Sequence, residues 1–328
     1  MKNTLLIGFL LVCGLWSSCT EKTVFDVLDK AESSMETHPD SALFLLHHIS
    51  HPGKLRGKQR ADYALLLTQA RDKNYLDSLQ SDSLIGIAVD YYKDRDDDVK
   101  AGKSLFYYGK VAALQDKDTL AMQAYLDALA RLEKTGEYKL RGLVYEYIGR
   151  INDARKMHDM ALENYRKSIS CYQRAHDTLG IAYIYRNIAW IYEGRHEQDS
   201  VRLYVDLGIS ALNGDSLSPA FPSLMHLKGV MESNSGNYSE AMECFRTAIR
   251  HERGETPVIY YCTSPEGDSY AQQGRIDEAE KCFQNILSWN KGNMRFGGYH
   301  YLYLLEKRRG KYKRALSFKE KSDSLLQV

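Results

Sequence analysis

The chain has 328 residues, of which 27% are charged and 44% apolar, and its formal net charge at pH 7 is +1. This composition is ordinary for a folded globular protein, and the near-zero charge gives no reason to expect nucleic acid or an acidic membrane surface as the main partner. Only 6 residues are proline, which argues against a turn-rich all-β fold, and the 24 tyrosines outnumber the 9 phenylalanines. Many helix surfaces should therefore carry a ring with an apolar body and a polar tip.

The N-terminus has the features of an export signal. Lys2 precedes an apolar run from Thr4 to Trp16, which is too short for a membrane span of roughly 20 residues. Ser17 and Ser18 then precede Cys19. This segment resembles the lipobox of bacterial lipoproteins, which implies that residues 1–18 are a signal peptide and that Cys19 is lipidated. Trp16 departs from the aliphatic residue usual at its position, so a plain secretory signal or an uncleaved anchor stays open as the alternative.

The lipobox resemblance also implies a location. A lipid on Cys19 would anchor the mature chain to a membrane of the cell envelope. Residues 20–26 contain no acidic run of the kind linked to surface export in some envelope lipoproteins. We therefore expect the protein to face the periplasm.

Four cysteines remain in the folded part of the chain, at Cys171, Cys244, Cys262 and Cys282. None forms a CxxC pair or lies at ligand spacing from a histidine, so we expect no metal site. Export would permit a disulfide, although buried free cysteines on helix faces are the more ordinary interpretation.

A period of about forty residues dominates the sequence. Small residues recur at Gly109, Gly149, Ala189 and Gly229, each within an apolar segment. Downstream of these, a second segment places a small residue four positions before an aromatic one, in the pairs Ala121 and Tyr125, Ala161 and Tyr165, Ser200 and Tyr204, Ala241 and Phe245, and Ala279 and Phe283. Small residues on both helices let two antiparallel helices pack closely, and the aromatic ring should fill the gap toward the next hairpin.

This pattern resembles the tetratricopeptide repeat, and residues 223–252 match its signature best. Stacked hairpins share a core that one hairpin cannot form alone. The resemblance implies an all-α fold, an α-α superhelix of about eight helical hairpins. Residues 19–100 should hold degenerate hairpins, and residues 101–328 about six regular ones, starting near 102, 142, 182, 222, 260 and 296. The mature chain is similar to repeat lipoproteins common in the Bacteroidetes.

Motifs of catalysis are missing from the sequence. It has no GxGxxG, Walker lysine loop, GxSxG or HExxH, so we expect neither an enzyme nor a cofactor. The run from Asp96 to Asp98 lacks the glycine and glutamate of a calcium loop and is best explained as a solvated turn. A basic cluster between Lys307 and Arg314 could bind nucleic acid or anionic lipid, and export argues against nucleic acid. A charged helix end and turn is the ordinary explanation.

In the tetratricopeptide fold the first helix of each hairpin lines the concave groove, which gives a set of expected binding positions. These are Lys103, Phe106, Lys110, Arg150, Tyr183, Arg186, Asn187, Trp190, His226, Asn234, His300, Lys307 and Arg308. Rings and cations in such a mixture suit a protein or peptide partner. The expected function is therefore a membrane-tethered adaptor, and the alternative is a sensory module that binds a small ligand or secreted peptide and signals to a partner.

Two local departures from the repeat also carry expectations. Pro265 lies within the first helix of the fifth hairpin, so that helix should be shortened or kinked there. The final helix ends with Leu325, Leu326 and Val328, where a terminal repeat normally has a polar face. Self-association or partner docking through this C-terminal helix is one hypothesis, and fraying of the end is the other.

Overall fold

The computed structural model describes residues 24–251, 258–288 and 292–325. The predicted signal peptide, the lipidation site Cys19 and the terminal Leu326 and Val328 lie outside the described residues. Within these ranges all regular secondary structure is helical. The helices are α1 over 24–34, α2 Pro39–His47, α3 Gly57–Lys73, α4 Asp82–Tyr92, α5 Asp98–Leu114, α6 Asp118–Leu132, α7 Tyr138–Ala154, α8 His158–Arg174, α9 Thr178–Gly194, α10 Gln198–Ala211, α11 Phe221–Asn234, α12 Tyr238–His251, α13 Val258–Gln272, α14 Ile276–Leu287, α15 Gly292–Arg308 and α16 Tyr312–Ser324.

Successive helices pair into hairpins, from α1 with α2 through α15 with α16. The hairpins form two compact units, one ending at Ala175 and one beginning at His176. In the first unit, buried aromatic and aliphatic residues of α3 to α7 form a shared core around Phe106 and Tyr125. The predicted all-α fold of helical hairpins is confirmed.

Several first helices begin earlier than the sequence pattern indicated. Helices α5 and α9 begin at Asp98 and Thr178, each four residues before its predicted start. Their N-caps explain this, because the Asp97 carboxylate accepts a hydrogen bond from Lys100 N at 3.0 Å and Asp177 accepts one from Gly180 N at 2.9 Å. A side-chain oxygen that binds a free N–H of the first turn fixes the start of a helix.

Each recurring glycine lies directly beneath an aromatic ring. A Cβ atom built on Gly109 would lie 2.5 Å from the Tyr125 ring, and one on Gly149 would lie 2.5 Å from the Tyr165 ring. The ring therefore covers the glycine of its own hairpin, which the sequence interpretation did not anticipate. Tyr125 also reaches the next hairpin, where its ring centroid lies 5.8 Å from that of Tyr147.

The fifth hairpin also contains a glycine packed beneath an aromatic ring, at a position that the sequence interpretation missed. Helix α13 continues through Pro265 to Gln272, so the predicted shortening is wrong. A Cβ atom on Gly267 would lie 2.5 Å from the Phe283 ring. Gly267 is thus the close-packing residue of α13, two positions after the proline that had suggested a break.

All four cysteines of the folded part are free thiols, and Cys171, Cys244 and Cys262 are buried. Burial raises the pKa of Cys244 to about 11 and that of Cys282 to about 12. A thiol with a raised pKa is a poor nucleophile and a poor metal ligand at neutral pH. The interpretation of these residues as buried free cysteines is confirmed for the three buried positions.

No helix in the described ranges is long and apolar enough to cross a bilayer.

Candidate functional site

The first helices of neighbouring hairpins contact one another in both units and present two polar surfaces. We define the first face by residues of α1, α3, α5 and α7 with the segment just after α1, namely Glu32, Glu36, Asp62, Asp72, Lys73, Lys100, Lys103, Lys110, Tyr147 and Arg150. We define the second face by residues of α9, α11 and α15, namely Tyr183, Arg186, Asn187, Trp190, His226, Asn234, His300, Lys307 and Arg308.

Ion pairs between helices cross the first face. Lys73 lies 3.0 Å from Glu36, Lys100 lies 2.7 Å from Asp62, and Lys110 lies 2.5 Å from Asp72. Each pair joins residues more than thirty positions apart in sequence. The side chains of Lys100 and Lys110 are only 19% and 15% exposed, so these pairs are less screened by solvent than ordinary surface pairs.

Lys103 is the lysine of this face that lacks a close acceptor. Its nearest carboxylate is Glu32, with 3.9 Å between Nζ and Oε1, and its side chain is 20% exposed. Burial lowers the pKa of Lys103, although the charges of Glu32 and Glu36 act in the opposite direction. A partly buried ammonium with no close hydrogen-bond acceptor among the described residues loses hydration that nothing replaces, and this lowers the stability of the fold.

Replacing Lys103 should show how far its poorly paired charge destabilises the protein. We expect Lys103→Met to raise the free energy of unfolding by about 1 kcal/mol, because the apolar stem is kept and the poorly paired charge is removed. Urea unfolding measures the change, with Lys134→Met, at an exposed position of the same unit, as the control. A loss of stability in Lys103→Met would mean that Glu32 and Glu36 satisfy the ammonium.

An aromatic cluster lies beside Lys110. The Lys110 ammonium lies 4.9 Å from the Tyr147 ring centroid, and the Arg150 guanidinium approaches the same ring at 4.9 Å. Burial lowers the pKa of Lys110, but the neighbouring Tyr147 and Asp72 outweigh it and the net pKa is raised. The ring of Tyr147 is therefore held between two cations, an arrangement that stabilises each charge.

Phe106 was predicted to point into the groove, and this orientation is wrong. Its side chain is fully buried, packed against Tyr107 at 5.1 Å and Tyr147 at 5.4 Å between ring centroids. The hydrophobic effect decides this placement, because a phenylalanine gains more from burial than a ring with a hydroxyl does.

On the second face, Trp190 is the exposed ring. It is 40% exposed, and its ring centroid lies 5.7 Å from that of His226. His226 was predicted to face outward, but only 9% of it is exposed, because its ring lies between Trp190 and Phe245, with centroids 6.0 Å from the latter. The exposed indole therefore rests on a buried ring that fixes its orientation.

Asn187 lies one turn before Trp190 on α9, and its amide N–H donor has no acceptor among the described residues. Asn187 Oδ1 accepts hydrogen bonds from Arg186 Nη2 at 2.8 Å and Nε at 3.2 Å. Its Nδ2 is buried and has no hydrogen-bond partner among the described residues. The guanidinium of Arg186 also lies 4.9 Å from the Tyr183 ring. Tyr183, Arg186, Asn187 and Trp190 thus form one connected group on a single helix.

The remaining predicted residues lie further along the second unit. Asn234 donates to Glu193 Oε1 at 2.9 Å, which links α11 back to α9. His300 is exposed on α15. Lys307 and Arg308 are exposed at the last residues of that helix. The structure therefore brings Tyr183 to Trp190, His226 and Asn234 together, and places the three α15 residues two hairpins beyond them.

Several residues of the first face were missed from the sequence. Lys100 precedes the predicted helix start at 102, so it was not among the expected groove positions. Glu32, Asp62 and Asp72 lie in the degenerate hairpins, where no repeat register was available. The early helix start could have been found from Asp97, a favourable N-cap residue three positions before Lys100.

The two faces offer ammonium and guanidinium groups, aromatic rings and one unpaired amide donor. In the part of the chain that the structure describes, no three histidine, cysteine or acidic side chains are grouped to hold a metal ion. Groups of the kind present here bind carboxylates, backbone carbonyls and apolar side chains.

The sequence profile of the tetratricopeptide repeat matches residues 222–251 and 266–293. Two hairpins of the chain therefore match the tetratricopeptide repeat in sequence. The two matched segments cover α11 with α12 and the second half of α13 with α14, the hairpins whose glycines pack beneath Phe245 and Phe283. No curated protein matches the chain significantly in sequence.

Solved structures with a similar fold cover most of the chain. The apo form of RapI is similar over 94% of this chain and 87% of its own, with a TM-score of 0.68 and 14% identity. NprR, solved in complex with its cognate peptide NprX, is similar over 92% and 89%, with a TM-score of 0.62 and 14% identity. A tetratricopeptide repeat protein from Parabacteroides merdae is similar over 81% and 93%, with a TM-score of 0.56 and 15% identity.

Proposed function

We propose that this chain is a non-enzymatic, membrane-tethered adaptor that binds a protein or peptide segment on its second face. The observation that carries the proposal is the buried, unpaired Nδ2 of Asn187 beside the exposed ring of Trp190. A buried amide donor without an acceptor is costly, and a backbone carbonyl of an extended segment would satisfy it. Trp190 would supply apolar contact area at a low cost in side-chain entropy.

Arg186 strengthens this assignment because it positions the amide. Its two hydrogen bonds hold Asn187 Oδ1, so the amide group and its Nδ2 are held in one orientation. A preorganised donor loses less entropy on binding than a mobile one. The likeness to NprR, whose structure contains its cognate peptide, supports a peptide or an extended protein segment as the occupant.

The tether is a further part of the proposal and rests on the sequence alone. Ser17, Ser18 and Cys19 supply the lipobox, and one lipid on Cys19 would confine the chain to a membrane of the cell envelope, facing the periplasm. Confinement raises the effective concentration of the second face near other envelope proteins. In Cys19→Ala, mass spectrometry should show no lipid adduct, and an unchanged membrane fraction would argue for an uncleaved anchor instead.

The binding surface is tested by a crosslinked pull-down from native envelopes. We expect Trp190→Ala with Asn187→Ala to lower recovery of the partner by about tenfold or more, the usual effect of removing a central aromatic contact. The matched control is Leu207→Ala with Asn285→Ala, which changes one exposed apolar and one exposed amide residue on second helices of the same unit.

Equal recovery by both double variants would place the contact elsewhere and overturn the proposed site. If neither variant nor the native chain recovers a macromolecule, the sensory alternative gains support. That alternative predicts that a small ligand or a secreted peptide raises the thermal midpoint of the native chain and leaves that of the Trp190 and Asn187 variant unchanged.

A further inference from the structure

The turn between α15 and α16 concentrates positive charge. Residues 306–323 contain eight lysines and arginines and three carboxylates, although the whole chain has a net charge of only +1. We define the basic tip as Lys307, Arg308, Lys311, Tyr312 and Lys313, all of which are exposed. Tyr312 lies at the centre of the basic tip and is 70% exposed.

The backbone holds the basic tip in a tight turn. Gly310 has a φ of +70°, a left-handed conformation that glycine adopts without strain. Gly310 N donates to Lys307 O at 3.1 Å and Lys311 N donates to Glu306 O at 2.9 Å. These bonds close the turn, so the end of α15 and the start of α16 bring the four cations into one small region.

Two neighbouring arginines are neutralised internally, and the tip cations are not. Arg309 lies 2.8 Å from Glu280 and 3.0 Å from the fully buried Glu306. Arg314 lies 2.7 Å from Glu280. In the described residues, by contrast, no ion pair involves any of the four tip cations. Arg308 donates only to the neutral amide of Gln272, at 3.1 Å, so its charge remains available to an external anion.

Apolar groups lie beside the tip cations. Leu316 is 56% exposed, one helical turn after Tyr312. The residues in the same register of earlier second helices, Leu162 and Met242, are only 4% and 5% exposed. Exposed tyrosine and leucine side chains among lysines match the composition of protein segments that lie at the surface of anionic bilayers.

We propose that the basic tip docks on an anionic bilayer, with lipid phosphates between the tip cations and with Tyr312 and Leu316 at headgroup depth. A protruding turn suits a plane of headgroups better than it suits an extended peptide, which needs a groove. Lysines, with compact charges on flexible stems, match a fluid array of phosphates that has no fixed geometry. This contact shares Lys307 and Arg308 with the second face, but it requires neither the Tyr183 to Trp190 group of α9 nor a lipid on Cys19.

The test is vesicle co-sedimentation of the full chain carrying Cys19→Ala, with phosphatidylcholine vesicles that contain or lack phosphatidylglycerol. The apolar N-terminal run can bind both kinds, so the readout is the excess binding to the anionic vesicles. We expect Lys311→Glu with Lys313→Glu to lower this excess by at least about twentyfold, since each cation near such a surface contributes about fivefold. Added salt should lower the excess as well.

The matched control is Lys134→Glu with Lys156→Glu, which makes the same change in net charge at exposed positions of the first unit. This control should lose far less of the excess binding, and Tyr312→Ser should lose part of it. Equal losses in the two charge-reversal variants would show attraction by net charge only and overturn the proposal. An unchanged excess in Lys311→Glu with Lys313→Glu would overturn it too, and would leave an acidic protein surface as the partner of the tip.

Discussion

Gly149→Leu is expected to destabilise the first unit by about 3 kcal/mol or more. A Cβ atom at this position would lie only 2.5 Å from Cε1 of the Tyr165 ring. That ring is 1% exposed, so it has no free space into which it can move. The side chain would therefore push α7 and α8 apart and open the contact on which the hairpin depends.

Gly86→Leu is the matched control, since Gly86 lies within α4 of the same unit and a Cβ atom placed on it would meet nothing within 4 Å. Its stability should rise by up to about 1 kcal/mol, because leucine is the better helix former. Urea unfolding measures both changes, and hydrogen exchange shows whether α7 and α8 open first in Gly149→Leu, as expected for a repeat array. Equal stabilities of the two variants would mean that Tyr165 can move aside.

The fold could be predicted from the sequence alone because close packing of paired helices requires small residues at a regular spacing. Only a small residue tolerates an aromatic ring on its backbone, so Gly109 and Gly149 recur at the spacing of the hairpins. Gly267 was missed because Pro265 suggested a break. A proline in the middle of a helix removes one hydrogen bond, but tertiary packing against Phe283 holds α13 together.

The faces were predictable only in part. The repeat register predicts which side of each first helix faces outward. Phe106 and His226 were predicted on that side but are buried, because each packs against aromatic rings of its own or a neighbouring hairpin. The ion pairs were harder to predict than the outward-facing residues. Lys100 and Asp62 are thirty-eight residues apart, and no local pattern in one sequence indicates which lysine meets which carboxylate across three helices.

The unpaired donor of Asn187 is likewise invisible in the sequence, since the type of residue does not reveal whether its amide is satisfied. Asn234, on the next first helix, donates to Glu193, whereas Asn187 Nδ2 has no partner in the described part of the chain. The two asparagines were equivalent candidates before the structure distinguished them. The proposal for the second face therefore rests on Asn187 rather than on Asn234.

Asp62→Asn is expected to lower the free energy of unfolding of the first unit by about 3 kcal/mol at neutral pH. Asp62 is 5% exposed and lies 2.7 Å from Lys100 and 2.6 Å from Lys58, and it accepts a hydrogen bond from the buried Tyr92 hydroxyl. The amide cannot neutralise Lys100, which is 19% exposed and would remain as a poorly compensated charge.

The pH dependence of this loss identifies its electrostatic origin. Burial alone would raise the pKa of Asp62, but hydrogen bonds from Lys100, Lys58 and Tyr92 outweigh burial and hold the pKa below its ordinary value of 3.8. A carboxyl with a lowered folded-state pKa stabilises the protein above its unfolded-state pKa, and this contribution disappears as pH falls through the folded-state value. The stability difference between the native chain and Asp62→Asn should therefore be constant near neutral pH and shrink once the pH falls below about 4.

The control is Asp90→Asn, which removes a carboxylate that is 78% exposed and lies 3.3 Å from Lys93. An exposed pair of this kind contributes less than about 1 kcal/mol, so this variant should resemble the native chain at every pH. Urea midpoints at several pH values compare the three proteins. If the deficit of Asp62→Asn persisted undiminished in acid, it would come from altered packing around Tyr92, and the carboxylate could not be what joins α3 to α5.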